Sequence, residues 1–105
     1  MKPAHIILMS LGLSLASPPM LAQEHHYRPA QGLVPDAKTA ITIAVAVWSP
    51  IYGEKQIASE RPYVASLAEG KWTVTGSLPK GLVGGVALAV IAKSDGQVLR
   101  VSHGQ

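Results

Sequence analysis

Few side chains in this chain could do acid–base or metal chemistry. Beyond residue 34 the carboxylates are Asp36, Glu54, Glu60, Glu69 and Asp95. General acid–base or glycosidase-type work needs two carboxylates at a set separation, which chain positions alone do not define. Asp36 reads as a helix-start residue, and Glu69 and Asp95 read as turn residues. Glu54 and Glu60 read as solvated groups around a short helix. Among the histidines, His25-His26 sits in a polar stretch with no third ligand at metal-site spacing, so no metal site is expected. His103 is in phase with Leu99 and Val101 at the end of a strand-like run, which turns it toward the mouth of the core. Its plain reading is a half-buried ring bonded to backbone; its functional reading is a polar group at the rim of a cone. No nucleophile or base is identifiable beside it, so it is given no catalytic role. The glycines at 81, 84 and 85 lack the Gly-Lys-Ser/Thr ending of a phosphate loop, and Lys80 precedes them. The chain has no cysteine, which excludes disulfides, thiolate catalysis and Cys-based zinc. These residues predict no enzyme and no cofactor.

The rest of the composition sets the frame for those residues. A chain of 105 residues is enough for one small domain. Lys2, the apolar run from Ile6 to Ala16, the break at Pro18-Pro19 and the exit Met20-Leu21-Ala22 have the order of a secretory signal. Residues 1–22 are therefore expected to be a signal peptide cut after Ala22, with a periplasmic product; the alternative is an uncleaved membrane anchor. Removing them leaves eight Lys/Arg against six Asp/Glu, dispersed along the chain, which gives no case for nucleic-acid binding. Residues 23–34 read as a flexible polar linker, and residues 35–105 as the folded domain.

The elements that must position the candidate residues follow from periodicity. Pro35-Asp36 suits a helix start. Ala40, Ile41, Ala44, Val45 and Trp48 recur at helical spacing, although Ile41 to Val47 also alternates as a strand would; the alanines and the cap favour helix. Pro50 is expected to end that helix near Val47 or Trp48, with Ser49 capping a second helix from Ile51 to Ser59 in which Gly53 marks close packing. Strands follow after Arg61-Pro62, from Tyr63 with a turn at Glu69-Gly70, and then from Trp72 to Leu78. A further strand around Val86–Ile91 is apolar on both faces and so central, and a last one runs around Val98–His103. Asp95-Gly96 is the hairpin turn, because glycine accepts the positive φ such a turn requires. Trp48 and Trp72 are expected in the core; Tyr52 and Tyr63 suit either core or contact roles. Helices followed by four antiparallel strands make an α+β fold, with helices packed on one face of a curved sheet.

From Val34 to Gln105 the chain resembles a family of small bacterial immunity proteins with a nuclear-transport-factor-two-like fold. The resemblance rests on Val34-Pro35-Asp36, the stretch from Trp48 and Pro50 to Glu54, Arg61-Pro62-Tyr63, Trp72 through Pro79 to Gly81, Gly84-Gly85-Val86, and Ser94 to Gly104 with Asp95 and Gly96. It departs at Ala87-Leu88, where the family pattern carries proline and an aromatic, so no aromatic contact is carried over to that strand. The resemblance implies a cone-shaped domain, also cystatin-like in outline, that binds a cognate protein toxin. Tyr52, Tyr63 and His103 are then the expected anchors, with Glu54 and Arg61 as rim charges. Two other classes stay open: a periplasmic small-ligand-binding or PepSY-type protease-inhibitory domain, and an enzyme on the same fold, which would need a Glu and a His converging in its cavity.

Overall fold

The computed structural model describes residues 26–104. The expected signal segment, its cleavage after Ala22, and His25 lie outside the described residues. Asp36 opens the first helix, α1 (Ala37–Tyr52), as its N-cap: one carboxylate oxygen accepts from the Thr39 backbone N–H at 2.8 Å and from the Thr39 hydroxyl at 2.7 Å. Ala40, Ala44 and Trp48, spaced four apart, form its fully buried stripe. A short helix, α2 (Glu54–Ala58), follows, and then strands β1 (Val64–Ala68), β2 (Lys71–Thr75), β3 (Ala87–Ala92) and β4 (Val98–His103). They pair in sequence order, all antiparallel, as one four-stranded sheet. This is the α+β architecture expected, with β2 and β3 central.

Two expectations about the helices need correction. Pro50 does not end α1; the helix runs through it to Tyr52, and no helix starts at Ile51. Pro50 lies in the last turn, where its missing N–H removes a single ladder bond. The Ser49 hydroxyl donates to the Val45 carbonyl at 2.7 Å, and the Gly53 N–H still closes on Ser49 at 2.8 Å. The break falls at Gly53 instead, at φ 99°, a conformation a side chain would oppose; the close packing expected there is not found, since a Cβ would stand in open space, and the glycine serves the backbone angle.

One face of the sheet carries Trp72 and Val74 of β2 with Ala87, Ala89 and Ile91 of β3, all buried under α1. Trp48 is 0 % exposed and donates its indole N–H to the Leu88 carbonyl at 3.2 Å. The β1–β2 turn places both Glu69 and Gly70 at positive φ, as a two-residue hairpin requires. At Asp95-Gly96, the Gln97 N–H donates to the Asp95 carboxylate at 2.9 Å, the Gly96 N–H to the Ala92 carbonyl and the Ala92 N–H to the Gln97 carbonyl, each at 2.9 Å, closing the β3–β4 hairpin as expected. Strand β2 stops at Thr75, short of the expected Leu78, because the chain then turns out into the 76–86 loop containing Pro79, Gly84 and Gly85. A bulge between Val90 and Ile91 shifts the register so that Val98 opposes Ile91, and Leu99 is left 43 % exposed instead of in phase with Val101.

The expected linker ends inside the fold. Val34 is 1 % exposed; Leu33 and Val34 donate backbone N–H groups to Ser94 and Lys93, and the Trp72 indole donates to the Val34 carbonyl at 2.9 Å. An apolar residue next to a polar run gains more from burial under the hairpin than from solvation. Among the described residues no helix is long and apolar enough to cross a membrane.

Candidate functional site

The strongest cluster of polar chemistry sits where four elements meet at one end of the sheet. Glu60, which follows α2 by two residues, is 2 % exposed, the one charged residue among the buried ones of the described residues. Its Oε1 accepts from the Ala87 backbone N–H, at the start of β3, at 2.7 Å. Its Oε2 accepts from Gln56 Nε2 at 3.0 Å and meets His103 Nε2 at 2.8 Å. Gln56 reaches it by i,i+4 spacing from α2, and His103 by its place at the end of β4, which pairs directly with Ala87. Gly76 makes room for the carboxylate: a Cβ there would stand 2.8 Å from the Glu60 Cβ. The Glu60 carbonyl also accepts from the Ser77 N–H at 2.7 Å, tying the 76–86 loop to the same residue.

Burial pushes the Glu60 carboxyl up, but the N–H of Ala87, the Gln56 amide and His103 together outweigh it and hold the group below its ordinary value. The hydrogen bond to Glu60 raises His103 above its ordinary value, against the opposing effect of burial. His103 Nδ1 lies 3.2 Å from the Gly104 carbonyl. In the imidazolium both ring N–H groups therefore donate within the chain, and both Glu60 oxygens are taken. The Glu–His convergence an enzyme would need is present, yet every polar atom of the pair is already engaged. What the pair offers to solvent is the ring itself, with its side chain 24 % exposed. The Tyr52 ring, from the last turn of α1, lies against it with centroids 5.0 Å apart.

The structure thus brings Tyr52 and His103 together. Glu54 and Arg61 are exposed, at the first position of α2 and directly after Glu60. Tyr63 turns inward: its hydroxyl donates to the Ile57 carbonyl at 2.7 Å and its ring stands 5.9 Å from Trp48. Glu60 and Gln56 are the residues that sequence reasoning missed. The i,i+4 spacing was visible, but nothing in the sequence tells a buried Glu from a solvated one. The 76–86 loop, rooted at this end of the sheet through Ser77, exposes Leu78, Leu82 and Val83, the last at 94 %. The loop's far end is held to β4 by the Gly104 N–H donating to Val86 at 3.1 Å.

A cleft of about 250 Å³ opens at the opposite end of the sheet, between Ala30, Gln31, Gly32, Gly70, Lys93 and Ser94. It lies between turns and carries none of the candidate residues. Among the described residues no three His, Asp or Glu gather as a metal set.

A family model described as "NTF2 fold immunity protein" matches residues 39–105. The chain belongs to this family. The match takes in α1 from its third residue, all of α2 and all four strands, and with them Tyr52, Glu60 and His103. The chain is also similar to the uncharacterized protein YhhH of Escherichia coli (strain K12), at 29 % identity over 76 residues. That alignment covers 71 % of this chain and 60 % of YhhH, so the chain spans about three-fifths of the curated relative it matches. No solved structure matches the chain.

Proposed function

We propose that this immunity-family protein is exported and neutralises a cognate bacterial toxin by binding it, without chemistry of its own. The observation that carries the reading is the Glu60–His103 pair. Its hydrogen bonds run inward, from Ala87 and Gln56 to Glu60 and from His103 to Glu60 and Gly104, which holds the His103 ring in one orientation at the surface. An aromatic and imidazole pair at the surface, at the end of the sheet where a loop exposing Leu78, Leu82 and Val83 is rooted, suits an interface in which Tyr52 is the anchor. Glu54 and Arg61 supply charges nearby. Such preorganised surfaces bind tightly because little side-chain freedom is lost on association. Export rests on the signal-like order of residues 1–22.

Co-expression with toxins encoded beside the gene, scored by survival, tests the proposal. Protection by the full chain is expected, weakened by Tyr52→Ala and by Val83→Asp, both of which leave the Glu60 bonds in place. Equal protection by both variants would remove this patch from the interface. Loss of protection in the exported form, with protection by a leaderless form, would place the encounter in the cytoplasm and overturn export.

A further inference from the structure

The two edges of the sheet are built differently. Strand β4 carries Arg100 and a bulge, both of which discourage pairing with another chain. Strand β1, Val64-Ala65-Ser66-Leu67-Ala68, has no charge, no proline and no bulge, and four of its five residues are exposed. The two-residue turn at Glu69-Gly70 makes Ala68 and Lys71 a hydrogen-bonded pair, so Val64, Ser66 and Ala68 bond inward to β2. The same alternation is seen one strand further on, where the Gly76 N–H donates to the Ala87 carbonyl at 2.9 Å. The N–H and C=O groups of Ala65 and Leu67 therefore point away from the sheet, along an open edge.

The charges at the ends of β1 say what fits there. Arg61 precedes the strand and Glu69 follows it; both are exposed, and neither forms an ion pair among the described residues. We propose that β1 pairs antiparallel with β1 of a second copy of this chain, about a two-fold axis at Ser66, giving a continuous eight-stranded sheet. In that register Ala65 of each copy exchanges two backbone hydrogen bonds with Leu67 of the other. Leu67, 45 % exposed in the single chain, then packs beside Ala65 of the second copy on the helix-covered face. Glu69 falls opposite Tyr63 of the other copy, with Arg61 two residues along, so at each end Glu69 is the acidic group toward which Arg61 of the other copy is directed, beside exposed Lys71. A parallel alignment would set like charges together. One patch thus complements itself, as a two-fold interface demands.

Sedimentation of the purified full chain from low micromolar to near-millimolar concentration tests this, read together with amide exchange. A concentration-dependent dimer is expected, in which the Ala65 and Leu67 amides become protected as it forms. Leu67→Lys, and Ala65→Pro, whose missing N–H is not one used by β2, should each weaken dimerisation about tenfold or more. Arg61→Glu and Glu69→Lys should each weaken it, and the double exchange should restore it. A monomer at every concentration overturns the proposal, as does a dimer indifferent to Leu67→Lys and Ala65→Pro. A dimer that the charge exchange fails to restore overturns the antiparallel register. Protection of these two amides only when a different protein is added assigns the edge to that partner and overturns self-pairing.

Discussion

Replacing Glu60 by alanine tests the central claim about the site. The carboxylate satisfies three donors, at 2.7 Å (Ala87 N–H), 2.8 Å (His103 Nε2) and 3.0 Å (Gln56 Nε2). Losing it leaves the buried Ala87 N–H without an acceptor, at about 1–3 kcal/mol. The charge-assisted bond to His103 adds about 1.5 kcal/mol, at the lower end of its class because that ring is partly exposed and regains water. Gln56 adds about 0.5 kcal/mol for the same reason. Against these stands the relief of no longer burying a charge, so the expected net loss is about 3 kcal/mol. A small domain has only about 5–10 kcal/mol in hand. Urea unfolding followed by the fluorescence of Trp48 and Trp72, both in the core, reads the change directly.

His103→Ala is the control that gives the comparison its force. Glu60 then keeps Ala87 and Gln56, so the loss should be smaller, about 1.5–2 kcal/mol. A loss below about 1 kcal/mol for Glu60→Ala would mean that water replaces the carboxylate at Ala87, and the joint would not be the clamp described here. A larger loss for His103→Ala than for Glu60→Ala would refute the reasoning outright, since it would make the histidine the principal partner of the joint.

Three further outcomes are expected. His103 has its pKa raised on folding, so its contribution is complete below about pH 6.5 and is lost as pH rises through the higher folded value. Glu60 has its pKa lowered, so its contribution is complete above about pH 4.5 and is lost as pH falls through the lower folded value. The pair therefore stabilises most between these limits, and His103→Gln should flatten the decline above pH 6.5 in a series of urea melts. Trp72→Phe removes the donor to the Val34 carbonyl and should destabilise by about 1–3 kcal/mol, with proteolysis quickening around residues 28–33. Pro50→Ala restores a donor to the last turn of α1 and should raise stability by about 1 kcal/mol, seen as a higher Tm.

The fold was legible in the sequence wherever local chemistry and periodicity agreed. The Asp36 cap, the four-residue spacing of Ala40, Ala44 and Trp48, the two glycine turns and the doubly apolar β3 are each decided by neighbours a few residues away. Pro50 reads as a helix stop, yet a proline in a last turn costs a single ladder bond, which the burial of Trp48 outweighs; propensity rules speak for helix interiors. The burial of Val34 is not legible locally, because its partners, Lys93 and Trp72, are distant in sequence. The site divides the same way. The phase of β4 placed His103 at the rim, but its partner Glu60 is 43 residues away, and a glutamate beside Ser59 and Arg61 carries every mark of a solvated group.

The cost of burying Glu60 becomes intelligible from what the carboxylate joins. Helix α2, the start of β3, the end of β4 and the root of the 76–86 loop all depend on one side chain or its carbonyl. An apolar residue there would fill the space but leave the Ala87 N–H unpaired and His103 free to rotate. Burying a charge is tolerable because three donors converge on it and because Gly76 gives it room. The result is an end of the sheet whose exposed rings stand on a fully bonded base. His103, turned outward there with Tyr52 against its ring, is a side chain whose freedom an interface would otherwise have to restrict, and its bond to Glu60 has already restricted it.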